Sequence, residues 1–236
     1  SGTGSEVGRA SVIVNEIEHK KAIIFHPKML PALVILDPEL TLGLPTALTA
    51  ATGMDALSHN LEAFCSPGYH PMAEGIAIEG IRLIKTYLPT AVADGSNIEA
   101  RTQMIVASAM GATAFQRGLG AMHALAHPLG ATYDAHHGML NAILMPYVLK
   151  ANQSVIEERI SRLARYLDLD PSFDAFMDWI LTLRKEVGIH HKLSAIIPDD
   201  SRLSEIGEMA VLDGAAGTNP ILYDAVEYTK IASNAF

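Results

Sequence analysis

From Pro45 to Phe236, apolar residues recur at intervals of three and four positions, and strand-like alternation is almost absent. This stretch is rich in Ala, Leu, Met and Glu, which favour helices. The periodicity predicts helices over residues 46–65, 72–92, 98–116, 119–134, 138–151, 154–168, 172–187, 202–213 and 221–235. Asn97, Ser154 and Ser172 are placed to cap three of them through side-chain oxygens. We therefore expect residues 39–236 to form one all-helical domain.

Residues 1–38 have a different pattern. ASVIVNEIE (10–18) and KKAIIFHP (20–27) alternate or are β-branched, which predicts a hairpin, and ALVILDP (32–38) predicts one further, buried strand. The expected fold class is mainly α, with the helical domain preceded by a short β-strand region. The opening residues, SGTGSEVGR, reach a glycine-rich turn at once, so we expect this chain to be a fragment or a processed product.

Composition excludes several classes of function. The chain has 236 residues and a formal net charge of -9, with no basic run, which argues against binding to nucleic acid or to an anionic membrane surface. The longest uncharged stretch, Gly118 to Tyr133, is shorter than the roughly 18 residues of a membrane-spanning helix. One cysteine, Cys65, cannot form an intrachain disulfide, which favours a reducing, cytoplasmic setting.

A histidine-rich segment, HALAHPLGATYDAHHG (123–138), carries four imidazoles. His123 and His127 are four residues apart, as are Asp55 and His59, so each pair shares one face of a predicted helix. An isolated Asp–His pair is often only a surface pair, and a histidine near a helix end can simply favour the local carbonyl dipole. Here the surrounding residues, GLGAMHALAHPLGATY, are uncharged and largely apolar, which directs the imidazoles into a core where their ring nitrogens need partners. Three histidines and one aspartate, without a thiolate, suit Fe²⁺ or Zn²⁺.

Four blocks together resemble the iron-containing alcohol dehydrogenases: GTGSEV (2–7), GMDALSHNLEAF (53–64), GAMHALAHPLGATYDAHHGMLNAILMPYVL (120–149) and TNP (218–220). This resemblance implies the metal ligands Asp55, His59, His123 and His137. It places His127 beside the nicotinamide and the substrate, where it would relay a proton or orient the substrate. His136 occupies a position that is commonly proline in relatives, which implies a supporting or surface role.

The resemblance implies an NAD- or NADP-dependent alcohol dehydrogenase or aldehyde reductase, in which a metal ion polarises the alcohol oxygen and the nicotinamide accepts a hydride. It also implies a homodimer and makes residues 1–38 the remnant of a nucleotide-binding α/β domain. Gly2, Thr3, Lys21 and Leu40 are its implied cofactor contacts, although a turn, a solvated lysine and a core leucine explain the same residues. The family's G-G-G-S phosphate loop does not occur in this sequence, so we expect weak nicotinamide binding and little or no turnover by this chain alone.

Two other functions are compatible with the same residues. One is a metalloenzyme similar to glycerol dehydrogenase or dehydroquinate synthase, in which fewer ligands hold zinc; His137, as a fourth ligand, argues against it. The other is a non-catalytic module that binds metal or forms oligomers. The particular alcohol, the choice between NAD and NADP, and the choice between Fe²⁺ and Zn²⁺ stay open at this point.

Overall fold

The computed structural model describes residues 3–15 and 20–236, and its main elements are α-helices. In this part of the chain they are α1 (Thr46–Cys65), α2 (Pro71–Ala93), α3 (Ile98–Ala114), α4 (Ala121–Tyr133), α5 (His137–Tyr166), α6 (Phe173–Glu186), α7 (Leu203–Val211) and α8 (Ala225–Ala235). Two antiparallel strands precede them, β1 (Ala10–Asn15) and β2 (Lys20–Phe25), with Ala10 opposite Phe25. The predicted mainly helical fold is confirmed.

Two of the three predicted N-caps are observed at helix starts, and the third is not. Asn97 and Ser172 each accept a hydrogen bond from a backbone N–H three residues on, at 3.0 and 3.1 Å, as predicted for N-caps. The predicted break before Ser154 is wrong, because α5 runs unbroken through the two segments expected at 138–151 and 154–168. Ser154 faces solvent within this helix, and nearby Asn152 is buried and hydrogen-bonded to Asn219. Tertiary contacts thus override the weak helix propensity of this polar stretch.

The third predicted strand, over residues 32–38, is also wrong. This segment has no strand structure, and Leu33 and Ile35 are 78% and 80% exposed. The sheet in the described residues has two strands, so this segment has no strand beside it to complete a ladder of hydrogen bonds. An apolar, β-branched run alone does not make a strand.

Helix α1 lies at the centre of the helical bundle and contacts α2, α3 and α5. Every residue from Gly53 to Cys65 is buried, including the acidic Asp55 and Glu62. Helix α4 packs against α5 and α7. Buried carboxylates need partners, and because α1 is enclosed, those partners come from the neighbouring helices. None of the helices in the described residues has both the length and the apolar character required to cross a membrane.

Candidate metal centre

Three helices bring Asp55, His123 and His137 together, from α1, α4 and the first turn of α5. Asp55 Oδ1 lies 4.0 Å from His123 Nε2 and 3.7 Å from His137 Nε2, and one donor atom of each residue lies within 4.8 Å of the other two. Two ligands bound to one ion at about 2.1 Å are at most about 4.2 Å apart. The two measured distances to Asp55 fall inside that limit.

His59 adjoins this group without belonging to the set of three donors. Its Nε2 lies 3.9 Å from Asp55 Oδ2, as the four-residue spacing on one helix predicts. Its ring stacks on that of His123, with 4.8 Å between centroids and 18° between planes. The structure therefore gathers all four predicted residues, with His123 and His137 near Oδ1 of Asp55 and His59 near Oδ2.

Asn141 shows that this group fits a cation. Its amide nitrogen lies 2.8 Å from Asp55 Oδ1 and 3.1 Å from both His123 Nε2 and His137 Nε2. An amide NH₂ has two hydrogens, so it cannot donate to all three atoms when both ring nitrogens carry lone pairs. Asp55 Oδ2 and His59 Nδ1 are also buried without a hydrogen-bond partner among the described residues. A buried surplus of acceptors is the environment that a divalent cation satisfies.

The protonation states agree with this interpretation. Burial acts to raise the pKa of Asp55, but His59, His137, His123 and the Asn141 amide outweigh it and leave the pKa below its ordinary value. Burial, with the neighbouring imidazoles, holds the pKa of His123 well below its usual range. An ionised carboxylate beside a neutral imidazole is the state in which both residues ligate metals.

Glu62, which the sequence analysis did not single out, contacts the far side of His123. Its Oε2 lies 2.7 Å from His123 Nδ1, and its Oε1 accepts a 2.7 Å hydrogen bond from the Met122 backbone N–H. Burial raises the pKa of Glu62 to about 7, against the opposing effect of that backbone N–H. An acid seven residues after Asp55 on an apolar helix face was the signal that could have identified it.

His127 lies beside the group and borders a cavity of about 310 Å³. Its Nδ1 is 2.8 Å from Asp213 Oδ2, and its ring stacks on that of His137 with 5.3 Å between centroids. Phe115, Leu119 and Thr218 line the same cavity. Asp213, which follows α7, is a second residue that the sequence analysis missed, since 86 positions separate it from His127.

Asn219, of the TNP motif, holds the start of α4. Its Oδ1 accepts hydrogen bonds from the Ala121 backbone N–H and from Asn152 Nδ2, both at 3.0 Å. Because α4 carries His123 and His127, this motif supports the group without touching it. His136 is exposed and caps α5 through a 3.4 Å hydrogen bond from the Met139 N–H, so its expected supporting or surface position is observed.

Of the four implied cofactor contacts, the structure describes the side chains of two, Thr3 and Leu40. Gly2 lies outside the described residues, as does the side chain of Lys21, whose backbone belongs to β2. Thr3 is half-buried and precedes a short 3-10 helix, Ser5–Val7. Leu40, in the 3-10 helix Pro38–Thr41, is 82% exposed, which excludes the alternative that it is a core leucine.

The helical part of the chain matches a known protein family. Residues 49–236 match the model of the C-terminal part of the Fe-containing alcohol dehydrogenase family. Across 98% of its length the chain is 37% identical to a 4-hydroxybutyrate dehydrogenase from Cupriavidus necator, of which it spans 62%.

Solved structures give the same result at the level of the fold. A crystal structure of a 1,3-propanediol oxidoreductase superimposes on the whole chain with a TM-score of 0.96 at 37% identity, and the chain covers 64% of it. A sulfoacetaldehyde reductase from Bifidobacterium kashiwanohense, in complex with NAD+, matches 99% of the chain with a TM-score of 0.90 at 30% identity, and 62% of it is covered. The chain therefore spans less than two thirds of each of these relatives. On the family model and on these relatives, the chain belongs to the iron-containing alcohol dehydrogenase family.

Proposed function

We propose that this chain is the metal-binding part of an NAD- or NADP-dependent alcohol dehydrogenase, with Asp55, His59, His123 and His137 as ligands of Fe²⁺ or Zn²⁺. The observation that carries the proposal is that three buried or half-buried atoms able to ligate a metal converge on the Asn141 amide. The two hydrogens of that amide cannot satisfy them all. The names of the relatives support the reaction class, since they are a hydroxybutyrate dehydrogenase, a propanediol oxidoreductase and a reductase with NAD+ bound.

In this proposal the bound ion supplies Lewis-acid chemistry on an oxygen of the substrate. The chain's own residues do the rest. His127 borders the cavity, and because its Nδ1 is engaged by Asp213, Nε2 is the ring atom left to hold or exchange a proton with a substrate. The cavity of about 310 Å³ has Phe115 and Leu119 among its lining, which suits small alcohols and aldehydes.

Several parts of the proposal rest on the family alone. The proposed cofactor contacts are Gly2, Thr3, Lys21 and Leu40. Residues 1–38 are proposed to be a part of the nucleotide-binding domain, and residues 39–236 are proposed to be the metal-binding domain. The exposure of Leu40 leaves it available for such a contact. A homodimer and a cytoplasmic location are proposed on the same basis.

The test is a metal titration of the chain with Fe²⁺ under anaerobic conditions and with Zn²⁺, followed by calorimetry and by metal analysis after gel filtration. We expect one ion per chain, and a loss of affinity of at least about tenfold in Asp55→Asn. Asp178→Asn, which makes the same change at an exposed position of α6, is the control and should bind like the wild type. A wild-type chain that retains no ion, or Asp55→Asn binding unchanged, would overturn the assignment of ligands.

The cofactor and substrate are tested on the metal-loaded chain. NADH and NADPH are titrated by fluorescence, and oxidation of 1,3-propanediol and 4-hydroxybutyrate is assayed with NAD and NADP. Metal retention without affinity for either dinucleotide would instead support a metal-binding module without dehydrogenase activity.

A further inference from the structure

We propose that Glu62 is a positioning residue that fixes the tautomer and orientation of His123, so that the lone pair of Nε2 points towards Asp55 and His137. The inference deepens the proposed function and rests on it. Its basis is the 2.7 Å contact between Glu62 Oε2 and His123 Nδ1, on the side of the ring opposite to the metal-binding group. A histidine that ligates a metal is oriented by the acceptor bonded to its other ring nitrogen.

Glu62 is held in one orientation by the start of α4. Its Oε1 accepts from the Met122 N–H, so Oε2 is directed at the next residue, His123. A Cβ at position 120 would lie 2.9 Å from Oε1, so the glycine found there leaves room for the carboxylate. The positive end of the helix dipole also favours a carboxylate at this place. Glu62 of α1 thus contacts two neighbouring residues at the start of α4: the backbone of Met122 and the ring of His123, which belongs to the metal-binding group.

Asn141 gives independent evidence for the tautomer. Its amide nitrogen, a donor, lies 3.1 Å from His123 Nε2, and its orientation is set by the 2.8 Å hydrogen bond to Asp55 Oδ1. A proton on Nε2 would oppose this donor, whereas a lone pair accepts from it. With Nδ1–H donating to Glu62, the lone pair of Nε2 faces the Asn141 amide, and Nε2 has the state that a metal ligand needs.

The Glu62→Gln variant separates this role from simple packing, because it keeps the size of the side chain. Both neighbours of the carboxylate, Met122 N–H and His123 Nδ1–H, are donors. If the glutamine oxygen keeps the bond to Met122, its NH₂ group faces His123 and favours the tautomer with the proton on Nε2. We expect Glu62→Gln to bind Zn²⁺ about 10- to 100-fold more weakly than the wild type and to unfold in a similar cooperative transition.

Asn219→Ala is the matched control, because Asn219 caps the neighbouring backbone N–H of α4 without contacting His123. It should lower stability and leave the tautomer of His123 unchanged. The readout is the ¹⁵N NMR spectrum of the histidine rings in the metal-free chain, together with the affinity for Zn²⁺. In the wild type we expect the Nδ1–H tautomer for His123, and this measurement needs no variant to fold.

The outcomes distinguish the two proposals. A wild-type chain that does not bind Zn²⁺ or Fe²⁺ would overturn the proposed function. Two results would overturn the role of Glu62 and leave the proposed function standing, provided that the wild type binds metal. One is an Nε2–H tautomer of His123 in the metal-free wild-type chain. The other is a folded Glu62→Gln variant that binds Zn²⁺ as tightly as the wild type. A changed tautomer in Asn219→Ala would also count against the role of Glu62, because the state of His123 would then depend on the capping of α4 in general.

Discussion

Gly138 is the position at which the packing of two helices most directly controls the proposed metal centre. It follows His137 in the first turn of α5, and a Cβ built there would lie 2.5 Å from the Ala51 carbonyl oxygen of α1 and 3.2 Å from Asp55 Cβ. Its backbone does not have a positive φ. Alanine is therefore excluded by the space available and not by backbone conformation.

The size of the disturbance follows from these distances. Real Cβ contacts are essentially never shorter than 3.0 Å, so Gly138→Ala must move α5 away from the α1 backbone by at least the missing half ångström. Metal–ligand distances tolerate about 0.2 Å. A shift of that size, one residue from His137, therefore removes His137 from the position that it shares with Asp55. Overpacking of this kind also costs about 1–3 kcal/mol of stability.

The assay is a Zn²⁺ titration by calorimetry, with urea unfolding of the metal-free chain. We expect Gly138→Ala to weaken Zn²⁺ binding by about tenfold or more and to lower the free energy of unfolding by about 1–3 kcal/mol. Gly75→Ala is the control: a Cβ at this position of α2 meets nothing within 4 Å, so alanine should stabilise by about 0.5–1 kcal/mol. If Gly138→Ala bound Zn²⁺ and unfolded like the wild type, the close approach of α5 to α1 could not be what places His137.

Three further predictions concern the helical scaffold. Glu74 of α2 lies 2.8 to 3.2 Å from Arg159, Arg117 and Arg162, and although burial acts to raise its pKa, these arginines hold the pKa below the ordinary 4.5. Its contribution to stability is therefore present above pH 4.5 and lost as the pH falls through the lower pKa of the folded state. Glu74→Gln should lower the free energy of unfolding by about 1–3 kcal/mol at pH 7, and this difference from the wild type should close at more acid pH. Glu79→Gln, in the half-exposed pair with Arg82, should cost less than about 1 kcal/mol. Urea unfolding across pH checks both, and a difference that widened in acid would contradict the assignment. Burial raises the pKa of the Cys65 thiol to about 12, so a thiol reagent at neutral pH should label it only on unfolding, and rapid labelling of the native chain would refute this. Leu125→Ala, at a fully buried position of α4, should cost about 2–5 kcal/mol in urea unfolding, against less than about 0.5 kcal/mol for Leu222→Ala, which is 75% exposed; equal losses would contradict the observed burial.

The sequence predicts those parts of the site that depend on spacing within one helix. Asp55 and His59 are found on one face of α1, as a four-residue interval requires. The same rule would have found Asn141, four residues after His137 on α5, but an asparagine is less conspicuous than an imidazole. Motif resemblance supplied the association of α1, α4 and α5, which no local pattern contains.

The missed and wrong predictions have one physical cause, namely that partners distant in sequence decide the outcome. Glu62 meets His123 across 61 positions, and Asp213 meets His127 across 86. Residues 32–38 resemble a buried strand, yet in the part of the chain that the structure describes neither a strand nor a helix covers Leu33 and Ile35, which are exposed. Ser154 has the side chain of an N-cap, but packing on both sides of it keeps α5 continuous.

The proposed placement of the ion rests on an asymmetry around His123. Two carboxylates of α1, seven residues or about 10.5 Å apart along the helix axis, lie on opposite sides of its ring: Glu62 at 2.7 Å from Nδ1 and Asp55 at 4.0 Å from Nε2. Glu62 faces N–H donors of α4, which stabilise its charge without an ion. Asp55 faces ring nitrogens and the hydrogens of one amide, so acceptors outnumber donors on its side. A cation would relieve an excess of acceptors and would repel N–H donors, and we therefore propose it beside Asp55 although both acids are buried.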